Sequence, residues 1–129
     1  MPPIILIVED HEPVRTSLYA WLSVSFPDHE VVATGSGEEA AAMSESISPD
    51  VVVMDISLPG ISGIEAARLI KNRSHESHII ILTIHEEEAY RADAASAGAS
   101  AFVPKRLMQR QLLPTIQKFL PLADKGEPG

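Results

Sequence analysis

The sequence predicts an α/β protein built on an open, doubly wound, mostly parallel sheet with helices on both faces. Short runs rich in β-branched residues recur along the chain, three of the four strongest are apolar without alternation, and helix-periodic stretches separate them. An uninterrupted apolar run reads as a strand covered on both faces, and parallel strands need crossovers that place helices there.

The first strand is expected from Ile4 to Val8. A helix follows from Glu12 to Phe26, with Pro13 suited to its first turn and Val14, Leu18, Trp21, Leu22 and Ser25 along one stripe. The second strand, Glu30 to Ala33, alternates enough to be an edge. A helix from Gly37 to Ile47, a strand from Val51 to Met54, a helix from Gly63 to Asn72 and a strand from Ile79 to Leu82 come next. The fourth helix, Glu86 to Ala97, has acidic residues in its first turn and Gly98 where a left-handed cap belongs. A weaker fifth strand, Ala101 to Val103, precedes a helix from about Leu107 to Leu120. Pro114 falls inside that helix, removes a backbone hydrogen bond and predicts a kink or an irregular turn; Pro121 then ends it.

Composition agrees. A length of 129 residues suits one domain with a real core, and 45% apolar with only 5% aromatic residues indicates a core of Ile, Val, Leu and Ala. The domain is expected over residues 1–121, with the polar, Gly- and Pro-containing residues 122–129 a tail or the start of a linker. There is no cysteine, so disulfides and thiolate-bound metals are excluded, and the apolar N-terminal run lacks the basic flank of a signal peptide. A soluble, cytoplasmic protein with no membrane segment is the expectation. A net charge of -8 argues against this chain binding nucleic acid by itself. The late basic residues Lys105, Arg106, Arg110, Lys118 and Lys125 read as a solvated helix face.

In sheets of this kind ligands bind beyond the carboxyl ends of the strands. Glu9 and Asp10 follow the first strand, Asp55 the third, Thr83 the fourth and Lys105 the fifth. Three carboxylates in one crevice repel each other, and a hard divalent cation with oxygen ligands, Mg²⁺ before others, relieves that repulsion. Thr83 adds a hydroxyl and Lys105 a mobile positive charge, which completes the parts phosphoryl transfer requires. Taken singly, each residue has an ordinary explanation: a helix cap for Asp10 or Asp55, a structural Thr83, a surface Lys105. Their conjunction at four strand ends is the signal.

From Ile4 to Leu120 the chain resembles the receiver domain of two-component response regulators. The resemblance rests on Ile4-Leu-Ile-Val-Glu-Asp10, on Val51-Val-Val-Met-Asp55-Ile-Ser-Leu-Pro-Gly60, and on the spacing of Thr83, Phe102 and Lys105. It implies a flavodoxin-like five-stranded sheet in the order 2-1-3-4-5 with five helices. It further implies that Asp55 is phosphorylated by a sensor histidine kinase or phosphotransfer protein. Mg²⁺ would be bound by Asp10, Asp55 and the Ser57 carbonyl, with Glu9 acting through water. Lys105 would pair with Asp55 or the phosphoryl group, Thr83 would bond a phosphoryl oxygen, and Phe102 would turn inward as Thr83 moves. By the same resemblance the module would be a phosphoacceptor that assists its own phosphorylation and dephosphorylation rather than an enzyme. Gly60-Ile-Ser-Gly-Ile64 and Ala97-Gly-Ala-Ser-Ala-Phe102 are most similar to the NarL/FixJ subfamily. Its members usually carry a DNA-binding domain after the receiver, so any DNA contact is expected through an output domain absent from this sequence. A homodimer through helix 4, strand 5 and helix 5 is the implied assembly.

Three residues depart from the family pattern. Ile84 stands where a small residue leaves the site open, Arg106 stands where many receivers have proline, and Pro114 interrupts the fifth helix. Ile84 motivates a rival reading, a pseudo-receiver or single-domain regulator acting by protein contact without efficient phosphorylation. A flavin carrier is disfavoured because Glu9-Asp-His-Glu12 would repel a phosphate. An aspartate-nucleophile phosphatase is disfavoured because Ser57 stands where its second aspartate belongs.

Overall fold

Each run of β-branched residues forms a strand: β1 (Ile4–Val8), β2 (Glu30–Thr34), β3 (Val51–Met54), β4 (His78–Thr83) and β5 (Ala101–Pro104). Between and after them lie α1 (Glu12–Ser25), α2 (Gly37–Ile47), α3 (Gly63–Arg73), α4 (Glu88–Ser96) and α5 (Met108–Phe119), with a 3-10 turn at Lys105–Leu107. The structure is a computed structural model describing residues 2–121, so the expected tail or linker at 122–129 lies outside the described residues. The strands pair in parallel in the order β2-β1-β3-β4-β5. That is the expected sheet, with the alternating β2 at one edge.

The strands are apolar throughout because alternate residues enter two separate cores. Leu6, Val8, Val52, Met54, Ile79 and Ile81 face α2, α3 and α4, which present Ala40, Ala41, Ala66, Ala67 and Ala94. Ile5, Ile7, Val51, Val53, Ile80 and Leu82 face α1 and α5, which present the larger Leu18, Leu22, Leu112 and Ile116. Small residues allow close approach on the first face: a Cβ on Gly37 of α2 would lie 2.9 Å from the Ala66 Cβ of α3.

Local signals set the helix ends. Ser36 and Ser62 cap α2 and α3 by accepting from the N–H groups of Glu39 and Glu65 at 3.1 and 3.2 Å. Gly98 has φ +101° after α4, the left-handed conformation expected there.

Two expectations are corrected. α4 starts at Glu88 rather than Glu86, because His85 and Glu86 are held by contacts outside the helix: the His85 N–H donates to Thr83 Oγ1 and Glu86 pairs with Arg106. α5 runs on through Pro114 instead of breaking into an irregular turn. Pro114 and Arg110, whose carbonyl loses its partner, are both exposed, so water can take the place of the missing N–H.

Gly63 joins the fold to the strand ends. Its N–H donates to the Ile56 carbonyl at 2.8 Å, and a Cβ there would lie 1.8 Å from the Asp55 carbonyl oxygen. Gly63→Ala should therefore lower stability by about 1–3 kcal/mol, the usual cost of overpacking, read from urea unfolding. An unchanged urea midpoint would show that the Asp55 backbone yields freely.

Candidate functional site

Parallel register gathers the polar strand ends. Val8 of β1 lies opposite Met54 of β3, so the residues that follow, Glu9, Asp10 and Asp55, emerge side by side. Backbone bonds hold that junction: the Asp55 N–H donates to Val8 at 3.1 Å and the Glu9 N–H to Thr34 at 3.0 Å. The three side chains each bring an oxygen within 4.8 Å of the others. Glu9 and Asp55 are buried and Asp10 is exposed, so the cluster opens to solvent on the Asp10 side.

Lys105 reaches into this cluster from the end of β5. Its Nζ donates to Glu9 Oε1 at 2.9 Å and to Asp55 Oδ2 at 3.4 Å, making Glu9 its nearer partner. Partial burial pulls the Lys105 pKa down, but the Glu9 hydrogen bond and the charges of Asp55 and Glu9 outweigh it and leave it above the usual lysine value. The second Glu9 oxygen accepts from the His11 N–H at 3.1 Å. The other Asp55 oxygen accepts from the Ser57 N–H at 3.4 Å.

The remaining expected residues border the same crevice or lie behind it. Thr83, fully buried at the end of β4, accepts from the His85 N–H at 3.2 Å. Ser57 is exposed, and its hydroxyl lies 2.8 Å from His85 Nε2. Phe102 sits one strand over and is half-buried against the α4-side core, with the Arg91 guanidinium 4.4 Å from its ring centroid. Arg106 makes a two-pronged pair with Glu86 at 2.8 and 3.0 Å, tying the Lys105 turn to the loop after β4. Ile84 is 70% exposed.

Two residues went unread in the sequence. Arg15 donates from Nη1 to the carbonyls of Glu9 and Asp10 at 3.0 and 3.3 Å, bracing the acidic turn from the first turns of α1. His85 contacts both Thr83 and Ser57, and nothing in its neighbours distinguishes it from an ordinary loop histidine.

The set of groups suits a hard cation and an oxyanion. The acidic oxygens match what Mg²⁺ prefers, and Lys105 supplies charge for anionic oxygens. A parallel sheet carrying an acidic crevice, a threonine and a lysine at its carboxyl edge defines a receiver-type signalling module. The family model described as the response regulator receiver domain matches residues 5–117, and the chain belongs to that family. Receiver domains of this family bind Mg²⁺ at the acidic pocket and interact with histidine kinases.

The chain is 35% identical over 127 residues to the transcriptional regulatory protein LiaR of Bacillus subtilis (strain 168), covering 96% of this chain and 57% of that protein. It spans about half the length of the curated relatives it matches. A two-component response regulator of the LuxR family from Aurantimonas sp. SI85-9A1 superposes with a TM-score of 0.84 at 33% identity, covering 92% of this chain and 84% of that one. The response regulator TrrA of Thermotoga maritima, solved in complex with Mg(2+)-BeF, superposes at 0.80 and 33% identity, covering 92% and 99%. No helix among the described residues is long and apolar enough to cross a membrane.

Lys105 gives a pH dependence. A raised amine pKa contributes stability that is complete below the unfolded value of about 10.4 and lost as pH rises through the higher folded value. The difference in urea midpoint between the native protein and Lys105→Met should hold steady from neutral pH to about 10 and shrink above it. A difference that grows with alkalinity would contradict the pairing.

Ile84 gives a second expectation. At 70% exposure it has few methyl contacts to lose, so Ile84→Ala should change stability by no more than about 0.5 kcal/mol in the same assay. A loss above about 2 kcal/mol, the range of buried truncations, would place its side chain in the core.

Proposed function

We propose that this chain is a phosphoacceptor receiver in which Asp55 takes a phosphoryl group from a sensor histidine kinase or a phosphotransfer protein, in a Mg²⁺-dependent reaction. The observation that carries the reading is the setting of Asp55. Its buried carboxylate lies within 4.8 Å of Glu9 and Asp10 oxygens and is hydrogen-bonded to Lys105 and the Ser57 N–H. The relatives include transcriptional regulators, so the state of Asp55 would control a transcriptional output domain, in the cytoplasm.

Transfer forms a bond from an Asp55 oxygen to phosphorus while the bond from phosphorus to the donor atom breaks, the donor leaving with that electron pair. Bound Mg²⁺, held by Asp10, Asp55 and the Ser57 carbonyl with Glu9 reached through water, would neutralise charge on the phosphoryl oxygens. The rest falls to the protein's own groups. Lys105 can shift its Nζ from Glu9 toward an arriving oxygen without leaving the cluster. Thr83 accepts from His85, which leaves its hydroxyl hydrogen free to donate to a phosphoryl oxygen. Phe102, half-buried beneath Arg91, would swing inward as Thr83 moves and carry the change to α4, β5 and α5. That face would also serve the homodimer.

Incubation with acetyl phosphate and Mg²⁺ should add one phosphoryl mass to the protein. Asp55→Asn or excess chelator should abolish it. A wild-type adduct that survives either treatment would place the acceptor elsewhere.

A further inference from the structure

Arg15 holds the acidic turn by its backbone. Its Nη1 donates to the Glu9 carbonyl at 3.0 Å and to the Asp10 carbonyl at 3.3 Å. Those two carbonyls belong to the peptide planes on either side of the Asp10 Cα, so tying both to one nitrogen fixes the φ and ψ of Asp10 and with them the direction of its Cβ. The other two carboxylates of the crevice are aimed by bonds to their own oxygens: Glu9 by Lys105 and the His11 N–H, Asp55 by Lys105 and the Ser57 N–H. Asp10 is exposed, and among the described residues no hydrogen bond reaches its carboxylate, which leaves the backbone to aim it. The guanidinium is itself held in place. α1 is anchored by the buried Leu18 and Leu22, and Gly35, in the turn between β2 and α2, leaves the slot that Nη1 fills: a Cβ there would lie 3.1 Å from it.

We propose that Arg15 is a positioning residue for the cation, fixing the Asp10 carboxylate relative to Asp55 so that the crevice prefers Mg²⁺ to the larger Ca²⁺. This rests on reading the crevice as a Mg²⁺ site. Mg²⁺ demands oxygens at about 2.0–2.1 Å in near-ideal octahedral positions, whereas Ca²⁺ accepts them at about 2.3–2.6 Å in variable arrangements, so loosening a ligand costs Mg²⁺ more than Ca²⁺. Charge works the other way. A guanidinium near the crevice repels a cation, and if charge were all that Arg15 contributed, the site would bind more tightly without it. Arg15 is half-buried, so water still reaches it and weakens that repulsion, while the two bonds to the carbonyls act on geometry, which water does not screen. Groups that orient metal ligands from behind typically change affinity by about ten- to a hundredfold, so positioning outweighs repulsion here.

The test uses the full chain, titrated with MgCl₂ and with CaCl₂ while the backbone amide resonances of Asp10 and Asp55 are followed. Arg15→Met keeps much of the apolar stem and deletes both bonds. It should weaken Mg²⁺ binding about tenfold and Ca²⁺ binding by less, so the preference for Mg²⁺ shrinks. Gly35→Ala supplies a second route, since its Cβ would displace Nη1 while leaving the guanidinium charge in place. It should weaken Mg²⁺ binding in the same direction and change nothing further in the Arg15→Met background, where the atom it displaces is gone. Unchanged or tighter Mg²⁺ binding in Arg15→Met would overturn the proposal, because the guanidinium would then act as a surface charge. Equal losses for both cations, or a Gly35→Ala effect that adds to that of Arg15→Met, would also overturn it, because a general loosening of the fold and not the aim of Asp10 would then be the cause. If Arg15→Met fails to fold, Gly35→Ala decides alone, and an undiminished preference for Mg²⁺ there would overturn it. A wild type whose Asp10 and Asp55 amides ignore Mg²⁺, or an Asp55→Asn protein that binds it as well as wild type, would instead overturn the reading of the crevice on which the proposal stands.

Discussion

Glu9, Asp10 and Asp55 place three carboxylates within 4.8 Å of one another, two of them buried. Two like charges about 4 Å apart repel by about 4 kcal/mol at an effective dielectric near 20, and the repulsion grows as water is excluded. Folding around such a cluster demands a counter-charge, and Lys105 supplies one through its bonds to Glu9 and Asp55. The other features of the site follow from that requirement. β5 must lie beside β4 so that Lys105, the residue following it, reaches the acidic cluster, and the 3-10 turn at Lys105–Leu107 starts the chain toward α5 with that side chain still bonded to Glu9 and Asp55. One ammonium does not match three carboxylates. The residual negative charge is what makes the crevice a place for a divalent cation, and the Arg15 bonds to the Glu9 and Asp10 carbonyls keep the acidic turn from splaying apart.

The fold was legible because every buried strand declares itself twice, by β-branched residues and by the lack of alternation. β1, β3 and the middle of β4 are covered on both faces, so no solvent-facing position interrupts the pattern. β2 lies at the edge and is less covered, with Glu30 exposed, Val31, Val32 and Ala33 half-buried and only Thr34 buried. The start of α4 was misread because Glu86, Glu87 and Glu88 look like an acidic first turn. Propensity cannot see that Glu86 is instead paired with an arginine from 20 positions along the chain. At Pro114, where a kink or an irregular turn was expected, the helix is continuous and no irregular turn forms. The cost of the proline depends on whether the freed Arg110 carbonyl meets water or core, and only the packed structure shows that both residues face outward.

Site residues divide along the same line. Glu9, Asp10, Asp55, Thr83 and Lys105 could be picked out because strand ends are a place the sequence defines, and side chains there have one direction available. His85 and Arg15 could not, since their roles depend on which backbone carbonyl or hydroxyl lies within 3.3 Å of them. Ile84 illustrates the limit differently. Its position beside Thr83 suggested restricted access to the site, and what the structure adds is that its side chain lies outside the core. Thr83 is fully buried while Ile84 is 70% exposed.

That difference in burial bears on how this receiver departs from the pattern it otherwise follows. Ile84 is exposed, and it is His85, two residues beyond Thr83, that contacts both Thr83 and Ser57. Arg106 extends the arrangement: in place of a proline it sends a guanidinium back to Glu86, so the loop after β4 is held from both directions, to Ser57 on one side and to the Lys105 turn on the other. The Arg106–Glu86 pair is solvent-exposed, and such pairs contribute little to stability on their own. Its effect is geometric. It links the backbone that follows Thr83 to the backbone that follows Lys105, the two residues that must move together when an anion enters between them.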